Sequence, residues 1–362
     1  MKKIFLYIDM MYRGGAQRVM CNLTSYFTNQ GWEVVLCNDF FQDDTMPQYE
    51  VLSNVKRLYL AKGITGNAIF KNLFRVLKLR KMIKVEKPDC VLSFLGRPNQ
   101  RMLLATVGLK TKKIVSVRND PYREYGKGVH RIIARTLFRL ANGCVFQTQD
   151  AKRYFPLCVQ RKSTIILNPV DERFFQTTNL GSRQNVITVG RLEEQKNQAL
   201  LIDAFCEIAD LFPEQNLIIY GDGSLLSELQ ARVEEKGIAG QVIFAGNVEE
   251  IEQYLVKAKA FVLSSNYEGM PNALMEAMAS GVPCIATDCP CGGPRMLLKN
   301  GVNGYLVPCN NKDALVEALG LLLSNDELQR MFSEGARDAA QRFKGEFIYP
   351  QWEQYIQQVM EY

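Results

Sequence analysis

Two carboxylates, Glu268 and Glu276, stand with seven residues between them in the run SNYEGMPNALMEAMASG (residues 265–281). Pro271 lies between them and fits a first helical position, where its missing N–H would have had no intrahelical partner. Glu268 then falls in the turn before a helix and Glu276 inside that helix. The amides from Asn272 through Ala273 to Leu274 become candidates for holding phosphate or sugar oxygens. A carboxylate inside such a helix can accept hydrogen bonds from ribose hydroxyls. Either glutamate taken singly equally fits an exposed helix residue.

A second cluster is basic. In VGRLEEQKN, Arg191 and Lys196 follow an apolar run within five residues of each other. A guanidinium fork and an ammonium point charge there can address one diphosphate, although a solvated charge pair fits the segment alone. Near the start, Gly14 and Gly15 follow an apolar run and open a helical pattern, which lets backbone N–H groups approach an anion closely. The run RGGAQR is neither GxGxxG nor a Walker loop, and a plain tight turn explains it as well.

The elements that must carry these residues alternate. KKIFLYI, WEVVLCN, CVLSF, KIVSVRN and GCVFQT read as short strands with helical stretches between them. Val19, Leu23, Tyr26 and Phe27 mark the apolar face of the first helix, which stops at Gly31. The rhythm restarts near Asn185 with NVITVGR, NLIIYGDG, QVIFAG, AFVLSS and PCIATD, each followed by a helical pattern except the last. Strand–helix alternation of this kind specifies parallel sheets covered on both faces. The 362-residue length suits two such domains. We place the boundary in the Asn-Pro segment, giving an N-terminal domain over 1–172 and a second over 173–345, with an aromatic amphipathic helix over 346–362 packing back on the first.

Composition removes several function classes. One histidine, His130, excludes any site that needs two, and it reads as a helix surface residue. The ten cysteines contain no CxxC pair and mostly sit in apolar runs, so they read as reduced core residues; Cys289 and Cys291 form the only close pair. No apolar run reaches membrane-spanning length, and the N-terminus lacks a cleavage site, so the chain is expected in the cytoplasm. Charge is unevenly spread: residues 1–173 hold 30 Lys/Arg against 13 Asp/Glu, and the remainder 14 against 25. Such a basic half suggests a polyanionic partner. Nucleic acid is disfavoured because no RNP, helix-turn-helix or zinc pattern accompanies the charge. The segment over residues 62–88 sets Lys62, Lys71, Arg75, Lys78, Arg80, Lys81, Lys84 and Lys87 among Ile69, Phe70, Leu73, Phe74, Val76, Leu77 and Leu79. That pattern fits a helix lying in an anionic lipid surface, and also an ordinary domain helix with a basic polar face.

Taken in order, GGAQRVM, NPVD, VGRLEEQKN, YGDGSLLSEL, the Glu-x7-Glu run and NGVNGYLVP resemble the retaining glycosyltransferases of family 4. The resemblance spans essentially the whole chain. It implies the GT-B fold, two Rossmann-like doubly wound domains facing each other across a cleft. It also implies that Arg191 and Lys196 neutralise a donor diphosphate, Glu268 lies near the donor sugar and Glu276 holds the ribose. Gly14 and Gly15 would sit beside the diphosphate, and Gly190, Gly221 and the stretch Gly269, Met270, Pro271, Asn272, Ala273 and Leu274 would line the nucleotide site. No cofactor or metal is expected. Members commonly carry a histidine near the donor sugar where this chain has SVRNDP, so Asn119 or Arg118 takes that place. A glutamate usual in the loop DCPCGGPRMLL is replaced by Met296. The implied activity moves a hexose or N-acetylhexosamine, with UDP the expected nucleotide, to a polyprenyl-diphosphate-linked glycan on the inner face of the cell membrane. A sugar-nucleotide-binding scaffold and a UDP-sugar epimerase are the competing readings.

Overall fold

The computed structural model describes residues 1–12, 14–40, 49–60, 68–176 and 182–361. Lys62 and the side chain of Ile69, both counted in the basic segment above, lie outside the described residues. The chain forms two compact units, Met1–Asn168 with Glu346–Tyr362, and Pro169–Gly345.

Unit 1 is built on strands β1 (Lys3–Ile8), β2 (Glu33–Asn38), β3 (Lys56–Tyr59), β4 (Cys90–Phe94), β5 (Lys112–Ser116), β6 (Gly143–Phe146) and β7 (Ser163–Ile165). They hydrogen-bond in the order β3-β2-β1-β4-β5-β6-β7, with every pairing parallel. Unit 2 repeats the plan with β8 (Gln184–Val189), β9 (Leu217–Tyr220), β10 (Val242–Gly246), β11 (Ala258–Leu263), β12 (Cys284–Thr287) and β13 (Tyr305–Val307), ordered β10-β9-β8-β11-β12-β13. The central strands are uninterrupted apolar runs because helices cover both faces: Ile4 through Ile8 have no exposed surface. In each sheet the order reverses once, between β1 and β4 and between β8 and β11. Loops leaving the carboxyl ends there part to opposite faces and leave a crevice.

Three strands are absent from the sequence reading: β3, β7 and β13. Each has three or four residues and lies at a sheet edge, so periodicity has too few positions to register.

The helix Gly345–Glu361 buries Ile348, Trp352, Ile356 and Val359 in the same core as Ile4, Leu92 and Phe94 of unit 1. The Trp352 ring lies 5.6 Å from that of Phe94. Tyr355 fixes the helix register, its hydroxyl donating to the Lys162 carbonyl at 2.6 Å and accepting from the Cys144 amide at 2.8 Å.

The basic segment divides unlike its sequence pattern. Within the helix Ala68–Glu86, Leu79 and Ile83 are buried, while Lys78 Nζ donates to the Leu60 carbonyl at 2.8 Å and Arg80 Nη1 to those of Ala105 and Val107 at 2.8 and 2.6 Å. Those two cations therefore serve the fold. Phe70, Leu73, Phe74, Leu77, Lys81, Lys84 and Val85 are exposed.

Replacing Trp352 with alanine is expected to lower unfolding stability by about 3–5 kcal/mol, because the fully buried indole leaves a cavity. Urea unfolding followed by circular dichroism measures this, and an unchanged midpoint would show that the C-terminal helix does not contribute to the core.

Candidate active site

The loops leaving β8 and β11, at the order reversal of unit 2, hold the chemistry. Asn197, in the left-handed region at φ 47°, caps the helix Gln198–Cys206 and ends the loop carrying Arg191 and Lys196. After β11, residues 264–271 lead into the helix Asn272–Ala279. Backbone and side-chain bonds tie the two loops: the Asn266 amide donates to the Gln195 carbonyl at 2.8 Å, Asn266 Nδ2 to the Glu194 carbonyl at 2.7 Å, and Ser264 Oγ to the Lys196 carbonyl at 3.0 Å.

This places Lys196 Nζ 2.5 Å from Glu268 Oε1. Ser265 Oγ donates to the same oxygen at 2.7 Å, while among the described residues Oε2 has only a long contact, 3.5 Å, from Gln195 Nε2. One carboxylate oxygen is thus saturated and the other keeps capacity for a hydroxyl donor. The ion pair is mostly withdrawn from water, so its charges attract each other more strongly than a surface pair. Arg191 differs: it is 66% exposed and paired with Glu193 at 2.9 Å. An exposed pair of that kind is worth little, so the guanidinium can turn to a ligand at small cost.

Pro271 is the N-cap of the helix Asn272–Ala279, one position earlier than the sequence suggested, and its carbonyl takes the first intrahelical bond from the Met275 amide at 3.1 Å. It offers no side-chain cap, leaving the amides of Ala273 and Leu274 without an intrahelical acceptor. Met270, Leu274 and Glu276 are buried, Glu276 as the fifth residue of that helix.

Glycines set the backbone beneath these groups. Gly221 has φ +128°, and a Cβ there would come 2.0 Å from the Gly190 carbonyl oxygen. A Cβ on Gly190 would press on the Lys196 stem at 3.3 Å. Gly293 lies against the loop from below, where a Cβ would approach the Gly269 oxygen to 1.9 Å. Gln195, Ser265 and Gly293 hold Glu268 and its loop yet escaped the sequence reading. The S-x-x-E spacing and the CGGP turn were the available signals.

The fold also brings together two cysteines that are distant in sequence. β12 and β13 run parallel with Thr287 opposite Val307, which brings Cys289, two residues on, beside Cys309. A hydrogen bond from Cys289 holds the Cys309 thiol below its ordinary range, and Cys289 is pushed up by that bond and by burial. Cys309 Sγ lies 3.7 Å from the Ser265 carbonyl.

In unit 1, Gly14 caps the helix Gly15–Asn29 with φ −163°, ψ 162° and no side-chain cap. Asn119 Oδ1 accepts from the Asp120 amide at 2.8 Å, while Arg118 is buried and stacks over Phe94 at 4.7 Å. His130 is exposed on the helix Gly128–Leu137.

Residues 13–174 match the model of Glycosyltransferase Family 4, and residues 170–339 that of Glycosyl transferases group 1. The chain belongs to glycosyltransferase family 4. It is 28% identical, over 99% of both chains, to a Campylobacter jejuni α-1,4-N-acetyl-D-galactosaminyltransferase named for an acceptor on PP-undecaprenol. It is 26% identical, over 90% of its length and 88% of the relative's, to an Escherichia coli α-1,3-galactosyltransferase named for UDP-Gal and GlcNAc-diphosphoundecaprenol. Anabaena HepE in complex with UDP superposes with a TM-score of 0.82 at 18% identity, over 99% of this chain and 100% of that one. The glycosyltransferase therefore has the GT-B fold.

Substituting Gly293 with alanine in this glycosyltransferase is expected to force the loop over residues 266–271 to shift, costing about 1–3 kcal/mol. Thermal melting tests it: a lowered melting temperature is expected, and a wild-type value would refute the packing role.

Proposed function

We propose that the enzyme is a retaining, metal-independent glycosyltransferase that moves a hexose or N-acetylhexosamine from a UDP-sugar to a polyprenyl-diphosphate-linked glycan while resting on an anionic membrane face. The observation that carries the reading is the Lys196–Glu268 pair at 2.5 Å, set at the unit 2 order reversal with Glu268 Oε2 open to a hydroxyl. The substrate classes follow those named for the Campylobacter and Escherichia relatives.

In this mechanism Glu268 Oε2 accepts a hydrogen bond from a donor-sugar hydroxyl and fixes the ring. Lys196, Arg191 and the amides opening the helix Asn272–Ala279 receive the charge that develops on the diphosphate as the anomeric C–O bond breaks. Glu276 holds the ribose. The departing phosphate oxygen takes the acceptor hydroxyl's proton on the face it leaves, so the new bond keeps the anomeric configuration. No glutamate nucleophile is used, unlike the two-carboxylate scheme of glycosidases. Arg191, Lys196 and the helix end supply the positive charge that a metal would otherwise provide.

The exposed row Phe70, Leu73, Phe74, Leu77, Lys81 and Lys84 follows helical spacing, which supports shallow insertion beside lipid phosphates. No helix among the described residues is long and apolar enough to cross a membrane.

Transfer assays with a panel of UDP-, GDP- and ADP-sugars should show turnover with a UDP-sugar. Glu268→Ala and Lys196→Ala should each reduce kcat/KM about 100- to 1000-fold with unchanged circular dichroism; near-wild-type activity in either would overturn the site. Turnover should persist in excess EDTA, and its loss would reveal a required metal. Replacing Leu73 and Leu77 with serine and Lys81 and Lys84 with glutamate should release the protein from phosphatidylglycerol vesicles in a flotation assay. Undiminished flotation would remove this helix from the membrane account.

A further inference from the structure

Three polar atoms at one end of the unit 1 sheet are buried without a hydrogen-bond partner among the described residues: Arg118 Nε, Gln147 Oε1 and Glu124 Oε2. Arg118 follows β5 and Gln147 follows β6. Glu124 ends the short helix Pro121–Glu124, whose Asp120 cap accepts from the Tyr122 amide at 2.9 Å. Shared bonds hold the group together. Asn168 Oδ1 accepts from Arg118 Nη2 and, at 2.7 Å, from Gln147 Nε2. Arg118 Nη1 lies 3.4 Å from Ser116 Oγ, and Glu124 Oε1 accepts from the Gly96 amide at 2.5 Å.

The arrangement is costly if it serves folding alone. Arg118 is 8% exposed and has no ion pair among the described residues, and burial lowers its guanidinium to about 9. Burial raises Glu124 to about 7 despite the Gly96 bond; Asp9 and Asp120 add to the rise, and Arg118 opposes it. An unsatisfied buried polar group is expensive, and a half-satisfied network more so. The free valences are one N–H donor and two acceptors. A phosphate would satisfy Arg118 but face the carbonyl of Gln147 and the carboxylate of Glu124, and an apolar group would satisfy none. A hydroxyl both accepts and donates, so neighbouring hydroxyls of a sugar match the set.

We propose that Arg118, Gln147 and Glu124 form a saccharide-hydroxyl subsite in unit 1. This rests on the glycosyltransferase reading, but it assigns sugar contacts to residues outside the Lys196–Glu268 site. The sugar belongs to the donor or to the acceptor glycan. Above neutrality the ionised Glu124 accepts a charge-assisted hydrogen bond, stronger than a neutral one, so binding tightens as pH rises through about 7.

Binding, not turnover, tests this, which separates its failure from that of the proposed reaction. Calorimetry on the full chain between pH 6 and 8 would use UDP, UDP-N-acetylgalactosamine and the methyl α-glycoside of N-acetylgalactosamine with UDP present. Glu124→Gln keeps an acceptor for the Gly96 amide. It is expected to abolish a roughly tenfold pH-dependent gain in sugar affinity while leaving the UDP affinity within twofold. Arg118→Met should weaken the same sugar at every pH. Loss confined to the UDP-sugar identifies the donor sugar, and loss confined to the glycoside the acceptor. If Arg118→Met fails to fold, the isosteric Glu124→Gln decides alone. Sugar affinities and pH dependence unchanged in Glu124→Gln would overturn the proposal.

Discussion

The constraint on which the rest depends is that every strand in both sheets runs parallel. Return connections must then cross through helices, and all loops that follow strands gather along one edge of each sheet. Where the order reverses, two such loops part and expose backbone that would elsewhere be covered. In unit 2 these are the loops after β8 and β11, and they supply Lys196 and Glu268. In unit 1 the loops after β1 and β4 supply Gly14–Gly15 and the Gly96 amide that Glu124 occupies. One topological rule thus positions the charged pair of unit 2 and the glycine amides of unit 1.

Close approach of backbones maintains this placement. The Gly221 and Gly190 turns meet where no side chain fits, and Gly293 does the same beneath Gly269. Onto that floor the chain sets a withdrawn ion pair, whose desolvation is offset only with further hydrogen bonds. Ser265 and Gln195 provide them to Glu268. The pair contributes a fixed geometry, with one oxygen committed and one available, more than it contributes stability.

Much of the scaffold is legible in the sequence because buried parallel strands are continuous apolar runs: KIFLYI and AKAFVL announce themselves. The edge strands β3, β7 and β13 do not, since three or four residues are too few to carry a period. The glutamates, Arg191 and Lys196 could be found by type and spacing. That Lys196 and Glu268 pair directly could not, because the contact spans 72 residues. The Cys289–Cys309 neighbourhood was hidden likewise, as it depends on the register of β12 and β13. The basic helix was read as amphipathic, yet it turns Lys78 and Arg80 inward and leaves Phe70, Leu73, Phe74 and Leu77 exposed: the two cations look like their neighbours until their carbonyl partners from Leu60, Ala105 and Val107 are in place. The Arg118–Gln147–Glu124 group joins residues from three separate segments and has no sequence signature.

The most direct measurement of the central claim is the anomeric configuration of the product. The enzyme would be incubated with an α-linked UDP-sugar and a synthetic undecaprenyl-diphosphate glycan, and the new linkage examined by NMR coupling constants. Retention through the leaving phosphate requires an α-linked product. A β-linked product, or no transfer from any UDP-sugar to a lipid-linked glycan, would contradict it.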